Sequence, residues 1–238
     1  ILAGNLPIAL GTAQSSQIRG DDRVTLAVFG DGGADEGVVY EVLNYAVLKQ
    51  LPMIFVCENN QYSVYSHQDR RQGRPDITER ARAFGIPSKR MQGNDVLSVY
   101  RATKRAVTKA RKGGGPSFLE LDTYRWCSHV GPENDDHFDY RSMAELAESQ
   151  ANCPIEELRK KLLDSGILDE SEAAQIERSV LAEIEESFNF AKTSAFPDSK
   201  MLYRNIFAGF ERDFGIPTIE NSESRFDYQQ SEVVPRPY

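Results

Sequence analysis

Val24-Thr25-Leu26-Ala27-Val28-Phe29-Gly30-Asp31-Gly32-Gly33-Ala34-Asp35-Glu36-Gly37 is the stretch that decides the fold. Its first half is mostly β-branched and aromatic, the composition of a strand buried on both faces. Its second half is rich in glycine and acid and leads into a helix expected from about Asp35 to Lys49. Leu51-Pro52 then introduces a second buried strand, Met53 to Cys57, which stops at Glu58-Asn59-Asn60. A strand, a helix and a second buried strand in this order make a βαβ unit with parallel strands.

Working outward, the same alternation continues. On the amino-terminal side, Pro7 to Gln17 reads as a closely packed helix with Pro in its first turn, followed by a Gly20-Asp21-Asp22 turn. On the other side come a helix around Ile77 to Phe84 and a strand near Lys89 to Gln92. A helix that Asp95 can cap then runs to about Arg111, and a strand follows at Pro116 to Leu121. The fold class is therefore α/β, a mainly parallel sheet with helices on both faces. Trp126 to Tyr140 is polar and reads as a long loop. Ile155, Leu158 and Leu162, and then Ile176, Val180, Ile184 and Phe188, recur at helical spacing and predict two amphipathic packing helices. The expected organisation is an α/β domain over 1–141, including a loop at 123–141, a C-terminal helical segment over 142–216, and an irregular tail over 217–238.

Composition excludes several classes. With 40% apolar and 27% charged residues in 238, the chain can bury a core. Acidic residues outnumber basic ones 36 to 28, for a net charge of -8, and no long Lys/Arg tract is present, so nucleic acid is not an expected partner. Three unpaired cysteines, Cys57, Cys127 and Cys153, suit a reducing compartment and support neither a disulfide framework nor structural zinc. That points to the cytoplasm, with the mitochondrial matrix open. No stretch approaches the roughly 20 apolar residues of a membrane span, so no membrane is expected. The chain does not begin with Met, and its first residues already read as the approach to a helix. An earlier segment is therefore expected to be missing or supplied elsewhere.

Ligands of open α/β sheets bind beyond the carboxyl ends of the strands, where both the glycine-rich turn and the Asn pair fall. Backbone N–H groups of the turn can approach an anion, whereas Asp31 carries the wrong charge to touch phosphate. A Mg²⁺ ion between them removes the conflict, because it takes carboxylate, carboxamide, carbonyl and phosphate oxygens together. Taken alone, Gly-Asp-Gly is more often a tight turn, and Asn59-Asn60 is ordinary turn chemistry. Their joint placement after consecutive strands favours a site.

Gly30-Asp31-Gly32, with Asn60 following Asp31 by 29 positions, resembles the cofactor motif of thiamine-diphosphate-dependent enzymes. The wider pattern of Gly37, Glu41, Asn44, Ala46, Leu51-Pro52, Cys57-Glu58-Asn59-Asn60 and Tyr62 is similar to the alpha subunit of the 2-oxo acid dehydrogenases, of pyruvate, branched-chain and acetoin type. Thr123-Tyr124-Arg125, His129 and Tyr140-Arg141 resemble that subunit's active-site loop. The resemblance covers nearly the whole chain but only the later two-thirds or so of the family's subunit.

This resemblance implies that Asp31 and Asn60 ligate Mg²⁺ through their side chains and Tyr62 through its carbonyl. It implies that Gly32 and Gly33 contact the diphosphate, that Leu2 wedges beneath the bent cofactor, and that His129 is the catalytic loop histidine beside cofactor and substrate. It further implies a beta-type partner carrying the pyrimidine-binding domain in a heterotetramer, a 2-oxo acid substrate and a lipoyl-bearing acyltransferase as acceptor. His67 and His137 match nothing. Glu41 and Asn44 share a helix face and either support the site or satisfy local polar groups. Arg125 and Arg141 are expected to anchor the loop through exposed ion pairs, each contributing about 0 to 1 kcal/mol.

One departure concerns Cys127-Ser128-His129-Val130, which lacks the second histidine and the following serine of the usual loop, so phosphorylation at that serine is not expected. The altered loop leaves open a carboligase or split transketolase-like subunit, and a non-catalytic scaffold is the third reading.

Overall fold

The computed structural model describes residues 2–197, and its contacts divide the chain into two units, 1–167 and 168–238. The tail over 217–238 lies outside the described residues. In the first unit the order is α1 (Asn5–Arg19), β1 (Thr25–Gly30), α2 (Gly37–Leu48), β2 (Met53–Asn59), a small hairpin of β3 (Tyr62–Ser63) and β4 (Ser66–His67), α3 (Ile77–Ala83), β5 (Ser88–Gln92), α4 (Val96–Arg111), β6 (Ser117–Asp122), α5 (Met143–Ala151) and α6 (Pro154–Asp164). The second unit holds α7 (Glu170–Thr193).

Four strands form one parallel sheet in the order β1-β2-β6-β5. α1, α2 and α3 pack on one face, where Leu6, Ala13, Val39, Leu43 and Ala81 meet Ala27, Phe29, Phe55 and Phe118. α4 covers the other face through Ala102 and Ala106 against Ile54, Val56 and Leu119. The expected α/β class, with helices on both faces, is thus observed.

Termini follow from local chemistry. Asp95 caps α4, accepting from the Ser98 N–H at 3.2 Å, and Asp76 caps α3, accepting from the Glu79 N–H at 3.0 Å. Gly20 ends α1 at φ 69°, a left-handed turn that a side chain resists. α1 starts two residues before Pro7, with Gly4 at its cap.

Three expectations are corrected. β1 is not buried on both faces: Ala27 and Phe29 face the core, while Leu26 and Val28 are 51% and 40% exposed. β1 is an edge strand and α4 packs against β2 and β6, so the outer side of its pleat has no cover among the described residues. The helix after the glycine-rich turn is not continuous from Asp35, because a 3₁₀ turn over Gly33–Asp35 ends at Glu36 in extended backbone before α2 begins at Gly37. Finally, the apolar stripe of α7 has no cover among the described residues: Ile176, Val180, Ile184 and Phe188 are all exposed. Its periodicity predicts the helix correctly but not burial.

Candidate cofactor and metal site

Parallel register sets the site. Gly30 pairs with Glu58 and Asn59 with Asp122, so β1, β2 and β6 end at one edge and release Asp31, Asn60 and Thr123 there. The turn after β1 is held by the Ala34 N–H donating to the Asp31 carbonyl at 3.2 Å. Gly32 lies directly against the hairpin: a Cβ on it would stand 2.5 Å from Ser63 Oγ. Only a glycine permits that approach.

Asp31 is 1% exposed, and burial pushes its carboxyl above the usual carboxylate range while Arg71 opposes the shift. The Arg71 guanidinium bridges two carboxylates, Nη2 to Asp31 and Nη1 to Asp35. Gln72 fixes the same corner, donating from Nε2 to Asp35 Oδ1 at 2.6 Å and to the Asp31 carbonyl at 3.3 Å.

A buried polar chain continues from there into the sheet. Gln68 donates to Gln72 at 2.8 Å, and Asn59 Nδ2 donates to Gln68 at 3.2 Å and to Glu120 Oε1 at 2.8 Å. The second Glu120 oxygen accepts from the Thr78 N–H at 3.0 Å. Glu120 is fully buried, and burial raises its carboxyl above the ordinary range against the lowering effect of the Asn59 bond.

The two asparagines do different work. Asn59 Oδ1 accepts from the Gln61 N–H at 3.0 Å, and Asn60 Oδ1 accepts from the Tyr62 N–H at 2.9 Å, which turns the chain through Gln61 at φ 67° into the hairpin.

The loop over 123–141 folds back on that hairpin. Arg125 donates to the Val64 carbonyl at 2.9 Å and to Tyr140 Oη at 2.8 Å, and Tyr140 donates to Asp135 at 2.7 Å. Asp135 also accepts from Arg141 Nη2 at 2.7 Å. Tyr62 meets Tyr140 edge-on at 5.5 Å and donates to Glu145 of α5 at 3.1 Å, and burial raises its hydroxyl's pKa. Between hairpin and loop lies an open cavity of about 660 Å³, lined by Tyr62, His67, Arg70, Tyr140 and Glu145 among others.

Here the sequence expectation of exposed anchoring pairs is corrected. Asp135 and Arg141 are buried, at 1% and 7% exposure, so their pair is a packed strut and breaking it costs about 3 to 5 kcal/mol rather than a fraction of one.

Of the expected site residues, Asp31, Gly32, Gly33, Asn60 and Tyr62 gather at the strand ends and the hairpin. His129 is exposed in the loop, with Nδ1 3.4 Å from Arg125 Nη1. Leu2 is 57% exposed at the start of the described chain. Glu41 and Asn44 are both exposed on α2, so they do not brace the site from within this chain.

Arg71, Gln72, Asp135 and Glu145 are missed by sequence reading. Glu120 carried a readable signal, being the one charged residue in the strand run Ser117-Phe118-Leu119-Glu120-Leu121.

Do these residues fit a Mg²⁺ ion and a diphosphate? Among the described residues no cluster of three or more His, Cys, Asp or Glu is placed to hold a metal. Mg²⁺ does not need one, since it commonly takes one or two carboxylates and completes its shell with neutral and phosphate oxygens. A buried Asp31 already compensated by a cation, with the Asn60 carboxamide and the Tyr62 carbonyl following β2 at the same end of the sheet, is a donor set of that kind.

Comparison with known proteins bears on the family. A profile of the family described as "Dehydrogenase E1 component" matches residues 1–200. The chain is similar to the chloroplastic pyruvate dehydrogenase E1 component subunit alpha-3 of Arabidopsis thaliana, with 38% identity over 217 residues, covering 89% of this chain and 50% of that protein. It is 38% identical over 214 residues to the pyruvate dehydrogenase E1 component subunit alpha of Porphyra purpurea, covering 87% and 61%. To the mitochondrial somatic form of Macaca fascicularis it is 34% identical over 209 residues, covering 87% and 53%. The chain thus spans about half to three-fifths of the length of these relatives. With a family profile matched from its first residue through α7, and the motif residues brought to one sheet edge, the chain belongs to the dehydrogenase E1 component family.

Proposed function

We propose that this chain supplies the diphosphate- and Mg²⁺-binding half of a thiamine-diphosphate site. With a beta-type subunit carrying the pyrimidine-binding domain, in a heterotetramer, it decarboxylates a 2-oxo acid and passes the acyl group to a lipoyl-bearing acyltransferase. The observation that carries this reading is the shared edge of β1 and β2: Gly30 pairs with Glu58, so Asp31 and Asn60 leave the sheet at the same end, one and two residues past that pair. The relatives named above are all dehydrogenase components, which disfavours the carboligase and scaffold alternatives. Among the described residues no helix is long and apolar enough to cross a membrane. The relatives include chloroplastic and mitochondrial proteins, and the free cysteines favour a reducing compartment, the cytoplasm or a matrix, for this one.

When bound, the cofactor supplies a carbanion nucleophile and an electron sink for decarboxylation. The chain's own residues position and enclose it. The Asp31 and Asn60 side chains and the Tyr62 carbonyl would hold the metal, and the Gly32 and Gly33 amides would bind the diphosphate, at a turn that admits no side chain at Gly32. Leu2 would supply apolar support beneath the cofactor. The loop, clasped by Arg125, Asp135, Tyr140 and Arg141, carries His129 exposed beside Arg125, and there it would exchange a proton with substrate or acyl acceptor.

Asp31→Asn tests the assignment. Mixed with partner, Mg²⁺ and cofactor, it is expected to lose more affinity than the 10- to 100-fold, roughly, that removing a metal's outer support costs. Retained cofactor affinity refutes the assignment.

A further inference from the structure

Resting on that reading of Asp31 as a metal ligand, we infer that Arg71 is a built-in counter-cation that holds the metal's place and must be displaced when a divalent cation binds. The Asp31 side chain is only 2% exposed, and a carboxylate so enclosed needs a compensating charge. Arg71 provides it and spans to Asp35, so one guanidinium serves two carboxylates. Mg²⁺ on the same enclosed carboxylate would set a divalent cation against the guanidinium at short range in a poorly solvated corner, and that repulsion favours Arg71 leaving Asp31.

The surroundings also give Arg71 a way out. Its side chain is 16% exposed, against 2% for Asp31, so it lies on the solvent side of the pair. Asp35, whose side chain is 32% exposed, is held independently by Gln72 at 2.6 Å and approached by Arg80 at 3.6 Å. Arg71 also donates from Nε to the Ser66 carbonyl at 3.2 Å. It can therefore release Asp31 and stay on Asp35 and Ser66, a swing of one side chain with no new buried charge. The turn then folds fully compensated before any metal arrives, and metal affinity is set by a competition inside the protein.

The test measures Mn²⁺ alone, by the free-ion electron paramagnetic resonance signal, on the full chain in whatever complex it purifies. Wild type, Arg71→Met, Arg71→Lys and Asp31→Asn are compared, each checked for folding by thermal melt. Arg71→Met is expected to bind Mn²⁺ at least tenfold more tightly than wild type. Arg71→Lys, a single point charge that cannot span both carboxylates, falls between. Asp31→Asn loses binding. Arg71→Met binding no tighter than wild type, with Asp31→Asn still losing binding, overturns the counter-cation and leaves the metal assignment standing. Asp31→Asn binding like wild type, or no binding by either wild type or Arg71→Met, overturns both. If Arg71→Met does not fold, Arg71→Lys decides, and Mn²⁺ binding by Arg71→Lys no tighter than wild type overturns the proposal.

Discussion

Replacing Glu120 is the sharpest probe of how this fold holds its site. Its two oxygens accept from Asn59 Nδ2 at 2.8 Å and from the Thr78 N–H at 3.0 Å, joining β2, the N-terminal turn of α3 and β6 at one fully buried point. Glu120→Leu fills the space and leaves the Thr78 N–H and one Asn59 amide hydrogen buried without a partner, the other amide hydrogen staying on Gln68. At about 1 to 3 kcal/mol for each orphaned donor, the expected loss is about 2 to 6 kcal/mol. Relief of the cost of burying the charge offsets part of it, which places the net near 2 to 4 kcal/mol. Glu120→Gln keeps one acceptor oxygen and turns an NH₂ toward the other donor, so about half that loss is expected. For a chain of this size 1 kcal/mol moves the melting temperature by about 2 to 4 °C, so Glu120→Leu should melt on the order of 10 °C lower. Circular dichroism melts, with urea titration to recover the free energy, provide the assay.

The pH dependence has a definite sign. Burial raises the Glu120 carboxyl above 4.5, so its contribution is fully present below 4.5 and is lost as pH rises through the folded-state value. The gap between wild type and Glu120→Leu should therefore be wider near pH 4.5 than at pH 7. A Glu120→Leu protein that melts within 2 °C or so of wild type would refute the reasoning, because water would then be satisfying the donors.

Two further perturbations separate local causes. Gly32→Ala drives a Cβ to 2.5 Å from Ser63 Oγ and 2.9 Å from Ser63 Cβ, so it should destabilise by about 1 to 3 kcal/mol. Ser63→Gly added to it should restore most of that in the same melt, and a double variant no better than the single would refute the clash. Asp76→Ala removes the cap of α3 and should cost about 1 kcal/mol at pH 7. Its bonds to Thr78 Oγ1 at 2.6 Å and to the Glu79 N–H hold the Asp76 carboxyl below 3.8. That contribution is present above pH 3.8 and fades as pH falls through the folded-state value, so urea titrations should show the difference shrinking there.

The sheet was legible because its information is local. Val24 to Phe29, Met53 to Cys57 and Pro116 to Leu121 are apolar runs between turn residues, and each lies within a residue or two of β1, β2 and β6. Asp31 and Asn60 were legible because parallel strands carry whatever follows them to a common edge. What sequence could not show is which long side chain reaches where. Arg71 lies 40 positions beyond Asp31 with no periodicity joining them, and its neighbour Arg70 is chemically identical. The tiny β3–β4 hairpin rests on side-chain-to-backbone bonds of Asn59 and Asn60, and no hydrophobic pattern marks it. The stripe on α7 illustrates the opposite limit: period 3.6 reveals the helix, but nothing in one chain's periodicity says whether a partner covers it.

Two identical letters at 59 and 60 thus encode parts that cannot be exchanged. Asn59 must be an amide in the full sense, giving hydrogens to Glu120 and Gln68 while taking one from Gln61. An aspartate there would set a second carboxylate against Glu120 in the dry interior, where two such neighbours cannot both ionise. Asn60 is used for its oxygen, which holds the Tyr62 N–H and to which an aspartate would be chemically closer. Loss of one amide nitrogen by slow hydrolysis is therefore a structural lesion at the first position and chiefly a change of charge at the second.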